Sequence, residues 1–291
     1  MRIVPFKQVD VFTALPFGGN PVAVVLDAEE LQPAEMQHIA AWTNLSETAF
    51  VMPPEAPGAS YRVRIFTPKQ ELPFAGHPSV GTAHAVIEAG FAHPREGRLV
   101  QECAAGLLEI DVEGEGPMRR IFIATPEARV EEPDLTMTVA LARALGVTIN
   151  AEPPPRAIAV GPNWAVVDLE RADVVRKLKP DMVQLKALSR DYGVIGAAVF
   201  GRTGRQDCAI AVRCFAPIDN IPEDPVTGSG NACIAAYLRV TGQIPPEGAQ
   251  YSASQGRELG RDGVVQVRIS ADGSTKIGGR SVTCIDGTIR L

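Results

Sequence analysis

The residue order predicts an α+β protein built from two pseudo-equivalent domains, each a curved, mostly antiparallel sheet rolled around a central helix. Three observations lead there. The chain nearly repeats itself. Val63-Arg64-Ile65-Phe66-Thr67-Pro68, running to Leu72-Pro73 and Ala75-Gly76-His77-Pro78, is answered by Val212-Arg213-Cys214-Phe215-Ala216-Pro217, running to Ile221-Pro222 and Thr227-Gly228-Ser229-Gly230. The numbers differ by 149 in the first blocks and by 152 at the glycines, which places three extra residues, Glu223 and Asp224 among them, between Pro222 and Gly228. A spacing this long marks a duplicated domain rather than a solenoid period. Strand-like segments also outnumber helices, and the regular strand–helix alternation of a Rossmann sheet is missing. Finally, 291 residues with 45% hydrophobic content suffice for two ordinary cores.

The elements follow in order. Phe6–Thr13 alternates as a strand, Phe17-Gly18-Gly19-Asn20-Pro21 is a turn, and Val22–Leu26 is a second strand. Pro33 suits a first helical turn, and Ala34–Trp42 reads as a helix with Met36, Ile39 and Ala40 on one face. Strands are expected at 47–52 and 61–66, then a helix over Ser79–Ala89 that stops at Gly90, then strands at 99–103, 107–112 and 121–124. The second copy repeats the order, with strands at 157–160, 164–169, 196–201 and 209–215, a helix within Pro180–Asp191, and a helix over Asn231–Thr241 closed by Gly242. Strands at 264–270, 275–278 and 283–291 finish the chain. The Pro153-Pro154-Pro155 stretch is a stiff loop, and the boundary lies around Pro126–Pro133. Domains of 1–127 and 128–291 are expected, the last strand being free to cross into the first.

Composition narrows the function. A net charge of −6 without a Lys/Arg run argues against nucleic-acid and acidic-membrane partners. No apolar stretch is long enough to span a bilayer. The first residues lead straight into a strand-like segment, so no signal peptide is expected and the cytoplasm is the expected compartment. The five cysteines lack CxxC spacing and read as reduced, mostly core side chains. No His/Cys/Glu set has metal-ligand spacing, so no metal is expected.

Candidate chemistry gathers at the two glycine turns. In both copies a strand passes through a Pro-containing loop to Gly76-His77 or Gly228-Ser229-Gly230 and then to a helix, whose first N–H groups lack intrahelical partners and attract an anion. If the copies face each other, the helix starts converge on a small carboxylate. The polar residues differ between copies. By the 149 offset Glu47 corresponds to Gly196; His77 corresponds to Ser229; Glu223-Asp224 falls in the expansion. A partly desolvated Glu47 could shuttle protons with His77 beside it. Spacing alone leaves each open: Glu47 as a solvated loop residue, Ser46 as a cap, His77 as a surface imidazole, Asp224 as a turn cap.

Gly19-Asn20-Pro21-Val22-Ala23-Val24, Asn44-Leu45-Ser46-Glu47-Thr48, Arg64-Ile65-Phe66-Thr67-Pro68 with Glu71-Leu72-Pro73-Phe74-Ala75-Gly76-His77-Pro78, and Glu223-Asp224-Pro225-Val226-Thr227-Gly228-Ser229 occur in this order. Together they resemble the phenazine-biosynthesis (PhzF-like) isomerase family over most of the chain. The resemblance implies the diaminopimelate epimerase-like fold, no cofactor, a homodimer, and proton transfer within a dihydro-hydroxyanthranilate-like acid. It implies Glu47 as the acid/base, His77 and Asp224 as further catalytic residues, and Ser46, Gly76, Gly228 and Ser229 as substrate-binding. The chain departs from the pattern at Gly230-Asn231-Ala232-Cys233.

Two other functions compete. An amino-acid epimerase or racemase of the same fold uses two thiols, one before each glycine turn; here those places hold Ala75 and Thr227, which disfavours it. A non-catalytic small-carboxylate binding protein would keep the glycine turns without needing Glu47.

Overall fold

The computed structural model describes residues 2–150, 152–205, 208–219 and 221–291. The chain divides into two compact units, residues 1–124 with 278–291 and residues 125–277. The first contains β1 (Ile3–Val11), β2 (Asn20–Val25), α1 (Pro33–Thr43), β3 (Thr48–Met52), β4 (Tyr61–Phe66), β5 (Glu71–Leu72), α2 (Gly76–Glu88), β6 (Arg98–Cys103), β7 (Gly106–Glu113) and β8 (Arg120–Ala124). The second contains β9 (Arg129–Val130), α3 (Leu135–Leu145), β10 (Arg156–Ala159), β11 (Asn163–Arg171), α4 (Ala172–Lys177), α5 (Met182–Asp191), β12 (Gly196–Arg202), β13 (Ile210–Ala216), β14 (Ile221–Asp224), α6 (Gly228–Val240), β15 (Gly248–Gln255) and β16 (Gly263–Ser270). β17 (Thr275–Gly279) spans the division, and β18 (Ser281–Arg290) belongs to the first unit. Among the described residues, no helix is long and apolar enough to cross a membrane.

Each unit is a mixed, mostly antiparallel sheet with the same pairing plan. β2 and β3 run parallel, as do β11 and β12; β3–β4 and β12–β13 are antiparallel; β4–β6 and β13–β15 are again parallel. The register carries the repeat. Thr48↔Phe66 in the first unit becomes Ala197↔Phe215 in the second, both numbers raised by 149. Tyr61↔Gln101 becomes Ile210↔Ala253, raised by 149 on one strand and 152 on the other.

The three-residue expansion lies earlier than the sequence suggested. Ile65 pairs with Leu72 on β5, and Cys214 pairs with Asp224 on β14, so Asp224 is the counterpart of Leu72. Arg64 grips Glu71 through Nε and Nη2 at 2.7 and 2.6 Å and covers the Phe66 ring. Arg213 grips Glu223 through the same atoms at 2.8 and 2.7 Å and covers Phe215. Glu223 therefore matches Glu71, and the insertion sits ahead of it, around the short 3-10 turn at Pro217–Asp219. Sequence alignment on Leu-Pro and Ile-Pro was misled because a bidentate guanidinium–carboxylate clamp, and not the prolines, is what the two copies share.

Both central helices are enclosed. In α2 every residue from His77 to Val86 is buried, and α6 is buried along most of its length. Gly81 marks how closely α2 is seated, because an added Cβ would stand 2.4 Å from Val22 and 2.8 Å from Val11. The other face of each sheet is covered too. α1 packs Met36, Ile39 and Ala40 against Val25, Phe50 and Phe66. In the second unit α3 and α5 bring Met137, Leu141, Leu185 and Leu188 onto Ala165, Val167, Ala197 and Val199. Strands covered on both faces lose polar–apolar alternation, which explains the all-apolar Val22-Ala23-Val24-Val25 run.

α3, α4 and β15 were not read from the sequence. α3 carried ordinary signals: Asp134 caps the N–H groups of Thr136 and Met137, and Gly146 closes it with φ 69°. The sequence reading put the boundary around Pro126–Pro133 and gave residues 135–145 no element. α2 and α6 also begin three residues earlier than expected, so Gly76 and Gly228 are their first helical residues rather than turn residues. The N–H that Pro78 lacks would have had no helical partner anyway, so a proline is tolerated there.

Gly196 tests how tightly the second sheet is built. A Cβ there would lie 1.8 Å from the Phe215 carbonyl oxygen, across a backbone that cannot give way. Gly196→Ala is expected to lower unfolding free energy by about 3 kcal/mol or more in urea titrations; a loss below about 1 kcal/mol would show that β12 and β13 can separate freely.

Candidate active site

Glu47 stands at the mouth of β3, a strand buried on both faces. α1 ends with Asn44 in the left-handed conformation (φ 55°, ψ 27°), and the chain turns there so that Ser46 and Glu47 lead into the ladder at Thr48. Thr43 and Thr48 join hydroxyls at 2.9 Å and hold the corner. Gly19, at φ 56°, leaves no space for a Cβ, which would meet the Val11 carbonyl oxygen at 2.0 Å. That close turn delivers Asn20 to the same corner, where Ser46 Oγ lies 3.5 Å from Asn20 Oδ1.

The structure brings Glu47 and His77 together: Glu47 Oε2 is 3.5 Å from His77 Nδ1, with the side chains 17% and 7% exposed. His77 is the second residue of α2, where the helix start is electropositive. Glu47 Oε2 is buried and accepts no hydrogen bond among the described residues. Burial pushes the Glu47 carboxyl up from the ordinary 4.5 to about 7, partly opposed by a hydrogen bond from Ser46. A carboxyl half-protonated near neutrality can both take and return a proton. Gly76, the residue before His77, opens the helix, so Ser46, Glu47, Gly76 and His77 share one corner of the first unit.

Behind this corner Ser79 Oγ donates to the Ala75 carbonyl at 2.9 Å and accepts from Gln101 Nε2 at 2.9 Å, and Tyr61 donates to Gln101 Oε1 at 3.1 Å. These groups fasten the start of α2.

The second unit assembles Asp224, Thr227, Gly228 and Ser229 at the start of α6. Thr227 Oγ1 donates to Asp224 Oδ2 at 2.6 Å. Trp164, buried on β11 beside Gly196, donates its Nε1–H to Ser229 Oγ at 3.1 Å. An indole nitrogen only donates, so Ser229 accepts there and its own proton points elsewhere.

The residues that departed from the family pattern face backwards. Asn231 is fully buried and donates to the Thr227 carbonyl and to Gln255. Cys233 Sγ is 3.2 Å from the Ile158 carbonyl oxygen. At Gly230 a Cβ would stand 2.5 Å from Cys214 Sγ. Burial drives the Cys214 thiol strongly up and the Cys233 thiol to about 12, so neither serves as a base.

Sequence reasoning missed Trp164, Gln101 and Gln255. Gln255 ends β15, a strand the sequence reading did not recognise, and only the alternation through Ser252-Ala253-Ser254-Gln255 could have suggested it. Two surface grooves are lined by other residues. One is lined by Met182, Lys186, Arg190 and Pro217, the other by Leu31, His38, Trp42 and Leu291.

The family model described as "Phenazine biosynthesis-like protein" (PhzC-PhzF) matches residues 9–287. The trans-2,3-dihydro-3-hydroxyanthranilate isomerase of Pseudomonas fluorescens is 34% identical over 97% of this chain and 98% of its own. "Antisense-enhancing sequence 1" of Schizosaccharomyces pombe is 39% identical over 97% of each chain. Among solved structures, a PhzF-family protein from Bacillus anthracis superposes with a TM-score of 0.88 at 26% identity, covering 100% of both chains. A hydroxyproline epimerase from Agrobacterium vitis superposes with a TM-score of 0.67 at 16% identity, over 100% of this chain and 93% of its own, and shares the fold.

The raised Glu47 value has a thermodynamic signature. Its folded-state pKa lies above its unfolded value, so folding takes up a proton between pH 4.5 and 7 and wild-type stability falls as pH rises through that window. Glu47→Gln removes the titration. Relative to wild type it is expected to gain up to about 3 kcal/mol between pH 4.5 and 8, read from urea titrations at each pH. An offset that stays constant across that range would mean that Glu47 titrates as a solvated carboxylate.

Proposed function

The chain belongs to the phenazine-biosynthesis-like (PhzC-PhzF) family and is an isomerase, and we propose that it moves a proton within a small carboxylic acid using Glu47 as a single acid/base. The observation that carries this reading is the buried Glu47 carboxyl, raised to about 7 and 3.5 Å from His77. In the reaction the Glu47 carboxylate takes a proton from a substrate carbon, the electron pair shifts along the adjacent unsaturation, and the same carboxyl returns the proton at a second carbon. Nothing is oxidised or reduced, so the step balances without a cofactor. His77 polarises or holds the substrate beside the base. Gly76 admits it close to the start of α2, and Ser46 orients Glu47; in the second unit the family resemblance gives Gly228 and Ser229 a substrate-binding role and Asp224 a catalytic one.

An epimerase reading is disfavoured by three positions. Ala75 and Thr227 stand where two thiols would be needed. Gly196, the counterpart of Glu47, has no room for any side chain. A second base equivalent to Glu47 is therefore sterically barred. Relatives from Pseudomonas fluorescens and Pseudomonas chlororaphis are named trans-2,3-dihydro-3-hydroxyanthranilate isomerase, and a compound of that class is the substrate we propose here.

The test is deuterium uptake in heavy water. Trans-2,3-dihydro-3-hydroxyanthranilate and a panel of small cyclic, amino-substituted carboxylic acids are incubated with the protein and followed by proton NMR. Wild type is expected to isomerise or exchange at least one of them. Glu47→Gln should lower kcat/KM by about 10²–10⁴ while still binding the compound, as expected for loss of a positioned general base. Wild-type turnover in Glu47→Gln would remove the proton-shuttle role. Trp164→Phe keeps the ring but loses the donor to Ser229; it is expected to raise KM by about tenfold with little change in kcat. An unchanged KM would detach Ser229 from carboxylate binding.

A further inference from the structure

Gln255 is fully buried at the end of β15 and makes four hydrogen bonds, three to the start of α6 and one to the end of β14. Its Oε1 accepts from the Thr227 backbone N–H at 3.1 Å and from Asn231 Nδ2 at 3.0 Å. Its Nε2 donates to the Asp224 carbonyl at 3.0 Å and to Thr227 Oγ1 at 2.9 Å. The polarity of this chain of bonds has no freedom. A backbone N–H only donates, so the amide oxygen must face it; a backbone carbonyl only accepts, so the amide nitrogen must face Asp224 O. Thr227 Oγ1 then accepts a hydrogen bond from Gln255 and directs its own proton to Asp224 Oδ2, at the short distance of 2.6 Å, with the Cys214 thiol as a further neighbour.

We propose that Gln255 is a positioning residue which, acting through the Thr227 hydroxyl, locks Asp224 in one orientation and as a hydrogen-bond acceptor. The inference rests on Asp224 being a substrate contact. It adds that the group Asp224 receives is a donor, an amine or a hydroxyl, and not a carboxylate. The first unit has no such relay. There Gln101 reaches Ser79 rather than a residue-75 hydroxyl, and Leu72 stands in place of Asp224. The device exists only in the copy that carries the aspartate. Other ionisable groups near Asp224 are Cys214 on β13, protonated through burial, and Glu223, which is clamped by Arg213.

The experiment needs no substrate, so a failed isomerase assay leaves it intact. Protein labelled at the aspartate carboxyl carbon is titrated by carbon NMR, with the Asp224 signal identified by its loss in Asp224→Asn. Thr227→Val removes the hydroxyl at constant shape and is expected to raise the Asp224 midpoint by about one pH unit. Thr227→Ser should restore it. Gln255→Met should raise it by a smaller amount, because the Thr227 proton is then no longer directed. If Thr227→Val leaves the midpoint unchanged, or if Gln255→Met matches wild type, the positioning role is wrong. A purely structural role would lower melting temperature in both variants without moving the Asp224 titration, which also overturns the proposal. Should either variant fail to fold, wild type itself decides. The Thr227 hydroxyl proton is expected as a slowly exchanging resonance, and its absence counts against the relay.

Discussion

The burial of α2 and α6 on every side is the constraint on which the other features depend. A helix enclosed by its own sheet has no face for water, so it must be built of small and apolar residues along its length. Gly81 and its contacts with Val11 and Val22 show how little space remains. The first turn, where backbone N–H groups cannot be satisfied within the helix, carries polar side chains in both helices, and α2 also buries Thr82 and His84 further along. His77 and Ser229 occupy the same second position of that turn in their respective helices. Each start is then braced from behind by a buried glutamine, Gln101 or Gln255, because a polar turn inside a core is stable only when its groups are paired.

The duplicated scaffold holds its shape through one shared device and gains its chemistry where the copies differ. The Arg64–Glu71 and Arg213–Glu223 clamps, each against a phenylalanine ring, recur with the same atoms. Around them Leu72 gives way to Asp224, His77 to Ser229, and Glu47 to Gly196. The last exchange has a steric reason, since the Phe215 carbonyl fills the space a side chain would need. One unit therefore holds a desolvated carboxyl, and the other holds a directed acceptor and a directed donor.

Burying Glu47 costs stability, and the surroundings show how it is sustained. Among the described residues Oε2 accepts no hydrogen bond, and the bond from Ser46 opposes the upward push on the carboxyl. A better-satisfied glutamate would be a firmer carboxylate and a poorer proton carrier at neutral pH. The penalty is carried by the rigid corner around it, built from the Asn44 cap, the Thr43–Thr48 pair and the Gly19 turn.

The sequence by itself determined the duplication, the strand order around Phe66 and Phe215, and the helix that follows each glycine, because these rest on local periodicity and on spacing that survives as register. It also singled out Glu47, His77 and Asp224 as the residues in which the copies differ, through comparison of the copies and the family resemblance. It did not locate the insertion correctly, since the Arg–Glu clamps that align the copies are contacts between neighbouring strands and leave no trace in spacing. It gave residues 135–145 no element, although Asp134 and Gly146 carry ordinary cap signals for α3. Only the tertiary structure decided that Glu47 is desolvated, that Gly196 can carry no side chain, and that Gln255 and Trp164 set the polarity of the α6 start. Those properties arise from what surrounds a side chain in three dimensions, and residues distant in sequence, such as Gln255 and Thr227, acquire them only once the sheet has closed around its helix.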